Sequence, residues 1–154
     1  MASIRHSRSD RQAKDERYLD VDIRLPDALL CVPEGEYRMV YAKHEYRTMF
    51  KGQNKLIMTL RISEMTEHCG KQFERFYNVE RSGKAYKSLQ RSDFQREMAD
   101  VFRVRSFKGI RLFSELKRFE LLVDVRNVSI DSKQQSLSDH NLYSVVARIK
   151  GRVD

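Results

Sequence analysis

Hydrophobic spacing changes period twice along this 154-residue chain, and that order of periods constrains its fold more than any other feature. Three runs come first with apolar residues near every second position, as in β-strands: Glu36 to Tyr46, Lys55 to Glu64 and Gln72 to Val79. In the first run Tyr37, Met39 and Tyr41 share one face and Val40, Ala42 and His44 the other. Both faces are partly apolar, which suits a long, bent strand. The second run alternates cleanly, so Leu56, Met58, Leu60 and Ile62 are expected inward and Ile57, Thr59, Arg61 and Ser63 outward. Arg47 to Asn54 (RTMFKGQN) reads as a turn with an aromatic at its tip, and a hinge at Cys69, Gly70 and Lys71 closes a three-strand meander.

The period then becomes helical. Ser92 and Gln95 form a capping-box pair, and Phe94, Met98, Val101 and Phe102 make one apolar stripe, predicting a helix of about three turns that ends between Arg103 and Lys108. Leu112 to Leu116 is too short to assign. Period two returns in Phe119 to Ile130, on Phe119, Leu121, Val123 and Val125, and in Leu142 to Lys150, on Tyr143, Val145, Ala147 and Ile149. The polar loop Asp131 to Asn141 between them is expected to be exposed. Five strands, a helix between the third and fourth, and a long connection before the fifth are the element order of an OB-fold. The expected fold is therefore mainly β with one principal helix, a five-stranded Greek-key barrel over residues 25–154. Another half-open barrel plugged by a helix is the competing architecture. Residues 1–24 read as a flexible basic arm, with Arg5, Arg8, Arg11, Lys14 and Arg17 at every third position. The same spacing would suit a helical face induced on a phosphate backbone. Leu25 to Pro33, apolar between Pro26 and Pro33, reads as a lead-in lying across the barrel.

The formal net charge is +8, so the surface attracts polyanions, nucleic acid being the commonest. The basic residues are spread through strands and not gathered on an amphipathic helix, which speaks against an anionic membrane. The longest apolar run, Ala28 to Val32, is too short to span a bilayer, and no apolar core follows the N-terminal charges, so a cytoplasmic protein is expected. Cys31 and Cys69 are the only cysteines and are expected to be reduced, with no second pair to build a zinc site.

The segments PEGEYRMVYAKHEY, KLIMTLRISE, GKQFERFYNV, LLVDVRNVSID and LYSVVARIK resemble small single-stranded-DNA-binding or replication-accessory proteins of phages, plasmids and integrative mobile elements. The resemblance covers roughly residues 33–150 and rests on short motifs: a Gly-x-Tyr strand, a Gly-Lys hairpin turn and a strand ending in aromatic-Asn. It implies an OB-fold and a role in DNA replication, recombination or transfer. The chain ends KGRVD, without the acidic, apolar-tipped tail by which bacterial single-stranded-DNA-binding proteins recruit partners, and recruitment by that route is not expected.

A sequence-tolerant single-strand binder needs aromatic rings for the bases and a basic track for the phosphates. In OB-folds the usual surface is strands two and three with the first and last interstrand loops. Here that surface would offer Tyr46, Arg47, Phe50 and Lys51 from the first loop, Lys55, Ile57, Thr59 and Arg61 from the second strand, Phe73, Arg75 and Tyr77 from the third, and Lys133 from the last loop. Phe73 and Tyr77 share one face of the third strand and Phe76 lies on the other. Periodicity alone does not choose the inward one: either Phe73, Arg75 and Tyr77 face out together, or Phe76 is the exposed ring. Tyr37 and Tyr41 read as core. A second basic concentration, Arg81, Lys84, Lys87 and Arg91 with Tyr86 among them, precedes the helix, and Arg103, Arg105, Lys108 and Arg111 follow it, with no carboxylate within either cluster. These extend the track around the barrel, the alternative being a solvated face.

Catalysis finds no support. His6, His44, His68 and His140 are isolated from nucleophile or carboxylate partners at motif spacing, and His68 beside Cys69 lacks a nearby third metal ligand. No phosphate-binding glycine loop occurs. No enzyme, cofactor or metal is expected. The expected partner is single-stranded DNA, with RNA an open alternative, together with a homo-oligomeric or replication and recombination protein partner and no membrane. A different class of function, an OB-fold protein-interaction or assembly subunit with incidental charge, is the alternative.

Overall fold

The computed structural model describes residues 29–131 and 133–154, so the basic arm and the start of the lead-in lie outside the described residues. The described chain forms six strands: β1 (Gly35–Thr48), β2 (Asn54–Ile62), β3 (Gln72–Ser82), β4 (Ala85–Ser88), β5 (Glu120–Val128) and β6 (Tyr143–Arg152). They make one open antiparallel sheet in the order β4-β3-β2-β1-β5-β6. One main helix, α1 (Asp93–Phe102), follows β4, and a short helix, α2 (Leu112–Leu116), precedes β5.

Six strands replace the five expected because β3 runs on to Ser82 and folds straight back. Ser82 pairs with Ala85, leaving Gly83 and Lys84 as a two-residue turn, and Gly83 has the positive φ of 62° that such a hairpin needs at its first turn position. At four residues β4 is too short to show an alternation of its own. The segment Leu112 to Leu116, unassignable by periodicity, is helical because one turn suffices to bury Leu116.

The core is the inward face of the sheet: Met39 and Tyr41 from β1, Leu56, Met58, Leu60 and Ile62 from β2, Phe73, Tyr77 and Val79 from β3, and Leu121, Val123 and Val125 from β5. Ile57 and Thr59, expected outward, are also buried, although Ile57 stands apart from the main cluster. Alternation assigned them to the correct face, but at these two positions that face is covered, although Arg61, Glu74 and Phe76 on it remain exposed. In β6 the buried residues are Ser144, Val146 and Ile149, not the Tyr143, Val145 and Ala147 set. Register shifts opposite Leu122/Val123 and Asp124/Val125 leave Lys150 and Ala147 as extra residues, and each bulge resets which positions face in.

Ser92 caps α1 as expected, accepting from Gln95 N at 3.3 Å, whereas the Gln95 side chain reaches one residue further back, to Arg91 N at 2.8 Å. The helix ends at Arg103, which turns left-handed with φ 56°. Met98, Val101 and Phe102 go into the core, and α1 packs on β6 and β3. Those strands approach each other although they are far apart in the sheet order. Ahead of β1 the lead-in is pinned to the start of β6: Ser144 N donates to Leu30 O at 2.9 Å, and Val32 N donates to Ser144 Oγ at 2.8 Å. No helix among the described residues is long and apolar enough to cross a membrane.

Candidate nucleic-acid interface

The face of β3 settles the largest open choice. Phe73 and Tyr77 are only 5% and 3% exposed, while Phe76 is 42% exposed. The outward triplet Phe73, Arg75 and Tyr77 is therefore corrected: all three face inward, and Phe76 is the ring offered to solvent. The physical reason is a carboxylate from another element. Glu97 of α1, itself buried, accepts from Arg75 Nη2 at 2.8 Å and Nε at 3.3 Å, and from the backbone N–H of Ile149 in β6 at 2.5 Å. Burial works against the Arg75 charge, but the hydrogen bond and charge of Glu97 outweigh it and raise its pKa. One carboxylate thus satisfies an inward arginine and an N–H on the β6 edge facing β3, where the two strands are not paired. The Arg75 guanidinium also lies 4.7 Å above the Tyr77 ring.

A second arrangement could not be anticipated from spacing. β1 has a register shift between Tyr41 and Lys43, after which His44 and Tyr46 pair with the inward-facing Met58 and Leu56. Tyr46 then stacks on Tyr86 of β4, with ring centroids 4.2 Å apart and planes at 4°. β1 and β4 have two strands between them, so in a flat sheet these rings would stand about 14 Å apart. The stack exists because the sheet curls. His44 continues the row, stacked on Phe113 of α2 at 3.6 Å and edge-on to Tyr46. Its Nδ1 lies 2.5 Å from the Tyr41 hydroxyl.

Burial first, and then the Lys117 charge, lower the His44 pKa below its usual 6.5. A folded pKa below the unfolded one means the unfolded chain binds the proton more readily, so the fold keeps this contribution above the unfolded value and loses it as pH falls toward the folded one. The thermal midpoint is expected to drop between about pH 7.5 and about pH 5, with His44→Gln showing a smaller drop. Equal drops in both proteins would rule His44 out as the titrating group.

The other expected contacts fall in three places. Phe50 and Lys51 occupy the short turn Phe50–Gly52 after β1, with Lys51 at φ 64°. Arg47 beside it is exposed and ion-paired with Glu45. Lys55 donates to Asn78 across β2 and β3, and Arg61 is exposed at the far end of β2 with no carboxylate partner among the described residues. Lys84 stands at the tip of the β3–β4 hairpin, Lys87 reaches Glu80 at 4.0 Å, and Lys133 is exposed in the loop between β5 and β6. Of the eight cations flanking α1, Lys87 and Arg103 have carboxylate partners, Glu80 and Asp154, and the other six have none among the described residues.

Two clefts meet at Phe76. One, of about 340 Å³, lies between β2, β3 and the entry to α1, and is lined by Lys55, Asn78, Arg91, Asp93 and Arg96 beside the ring. The other, of about 420 Å³, is mainly apolar and lies between β3 and β6, walled by Leu29, Leu30, Tyr143 and Val145 with Glu74 at its side. Sequence spacing marked neither Arg96 nor the Leu29–Leu30 wall as part of a site. The signal for Phe76 was present as the alternative face of the third strand.

Cys31 and Cys69 are both exposed and unpaired. Among the described residues no group of three or more His, Cys, Asp or Glu is placed to hold a metal ion. Comparison with protein-family models, with curated protein sequences and with solved structures found no match for this chain.

Proposed function

We propose that this protein is a non-enzymatic single-stranded nucleic-acid binder with little sequence preference, built on an OB-fold-like frame and serving replication, recombination or transfer of a mobile element. The observation that carries the reading is charge without compensation beside partly exposed rings. Six cations flanking α1 have no carboxylate partner among the described residues, and the β3–β4 hairpin sets Arg81 and Lys84 next to the Tyr46–Tyr86 stack. Surface cations left unpaired keep their full attraction for phosphates, and stacked tyrosines offer a π-face to any base. The frame supports the same reading: β1, β2 and β3 form a meander, β5 pairs with β1, and β6 comes round to face β3 with α1 across the gap. We read this order as that of an OB barrel with one unzipped seam and one added edge strand.

The test is fluorescence anisotropy of labelled single- and double-stranded oligonucleotides of one sequence at two salt concentrations. Preference for the single strand and a steep loss of affinity with salt are expected. Charge reversal at Lys84 and Lys87 is expected to weaken binding and flatten the salt slope, by roughly one unit for each phosphate that is no longer neutralised. Equal affinity for both forms, or none for either, rejects the proposal. In that case the apolar cleft beside Phe76 favours the assembly-subunit reading, whose complexes would be insensitive to salt.

A further inference from the structure

We infer that Phe76 is the partition of a single-nucleotide subsite, with the base held in the apolar cleft between β3 and β6 and the adjoining phosphate in the cationic cleft at the entry to α1. The inference rests on the nucleic-acid reading above and assigns it a place. A nucleotide in a single strand is a flat ring system with apolar faces joined to one negative charge, and few surfaces suit both parts at once. Phe76 lines both clefts, and they differ in kind.

On one side of the ring, Leu29, Leu30, Tyr143 and Val145 offer apolar contact, with Leu29 largely exposed and Leu30 and Phe76 partly so. Glu74 on that side repels a phosphate but not a neutral base. On the other side stand three cations, Lys55, Arg91 and Arg96, against one carboxylate, Asp93. Asp93 is already ion-paired with Arg96, and the Arg91 side chain has no carboxylate partner among the described residues. The two sides therefore orient the ligand as well as hold it. The platform beneath is firm: Ile57, directly opposite Phe76 in the β2–β3 register, is buried, and Lys55 is tied to Asn78 across the same two strands.

A fluorescent reporter can be placed here cleanly, because the chain contains no tryptophan. Phe76→Trp gives a single tryptophan in the partition, excited apart from the tyrosines at the red edge of its absorption. It is expected to be strongly quenched by an oligo(dT) strand and only weakly by an abasic strand of the same length that still binds by anisotropy. Phe76→Ala is expected to lose about ten- to a hundredfold in affinity for oligo(dT), the range for one stacked base, with only a small fall in thermal midpoint because 42% of the residue is already exposed. Arg91→Gln is expected to weaken the oligo(dT) and abasic strands alike. If the wild-type protein binds oligo(dT) but Phe76→Trp is not quenched and Phe76→Ala binds normally, the subsite is wrong while the general reading survives. If Phe76→Ala alters only the sedimentation of the protein and leaves oligonucleotide affinity intact, the cleft serves self-association and the subsite is again wrong. If the wild-type protein binds no oligonucleotide, both fall together.

Discussion

Glu97→Leu is expected to destabilise the fold by about 3–5 kcal/mol, measured as a fall in the urea midpoint, because it leaves the inward guanidinium of Arg75 without its partner. Glu97 holds two groups at once: the Arg75 fork on β3 and the Ile149 N–H on the facing edge of β6. Losing the carboxylate costs the desolvation of a charge and of a backbone donor together. Removing both charges, as Arg75→Met with Glu97→Leu, is expected to recover much of the loss, since well-packed apolar replacements of a buried pair are often near neutral. A double-mutant cycle in which the two single changes simply add would show that the pair is not coupled in the folded protein. The Ile149 amide of β6 would also exchange its hydrogen faster in Glu97→Leu, because the carboxylate is its acceptor.

Tyr77→Ala is expected to cost about 3–5 kcal/mol, as large aromatic truncations in a packed core do, so any loss of oligonucleotide binding in that variant reports unfolding and not a missing stack. Tyr77 packs edge-on against Phe94 at 5.0 Å and beneath the Arg75 guanidinium. Its hydroxyl is buried beside Arg75 and Glu97 but makes no hydrogen bond of good geometry to either, and burial, reinforced by the Glu97 charge, drives its pKa well above the usual 10.0. A buried hydroxyl without a well-formed hydrogen bond is a standing cost, so Tyr77→Phe is expected to leave stability unchanged or raise it by about 1 kcal/mol. A loss above about 1 kcal/mol in Tyr77→Phe would mean that the hydroxyl has a partner in solution. The pair of substitutions separates the two roles the residue was open to: a stacking platform tolerates phenylalanine but leaves the fold intact on truncation, and a core residue does not survive truncation.

Much of the fold was legible in the residues because it depends on local periodicity. The clean alternation of Leu56, Met58, Leu60 and Ile62 named the inward face of β2, and the Ser92 cap with the stripe of Met98, Val101 and Phe102 named the helix and its buried side. The misassignments share one cause. Spacing tells which side chains share a face, but it does not tell which face is inward or where a bulge shifts the phase. Phe73 and Tyr77 belong together and Phe76 stands against them, as spacing requires. Only the Glu97 carboxylate, brought from an element about twenty residues away, decided that Arg75 could turn inward and take the rest of that face with it. Alternation assigns β6 a single phase along its whole length, and two bulges break that phase. β4 escaped because four residues cannot display a period.

What the sequence alone determined is therefore the inventory: a basic chain, a three-strand meander, one capped amphipathic helix, two further strands, and a supply of rings and cations. These follow from short-range constraints, since strand and helix periods, caps and net charge depend only on neighbouring residues. The tertiary structure decided where those rings and cations meet. The Tyr46–Tyr86 stack requires a sheet curled enough to bring β1 to β4, and the two-sided setting of Phe76 requires β6 and the entry to α1 to arrive on opposite flanks of β3. Such contacts join residues far apart in the chain. Their geometry is set by twist, bulges and one buried ion pair acting together, and none of these leaves a local mark in the order of the residues.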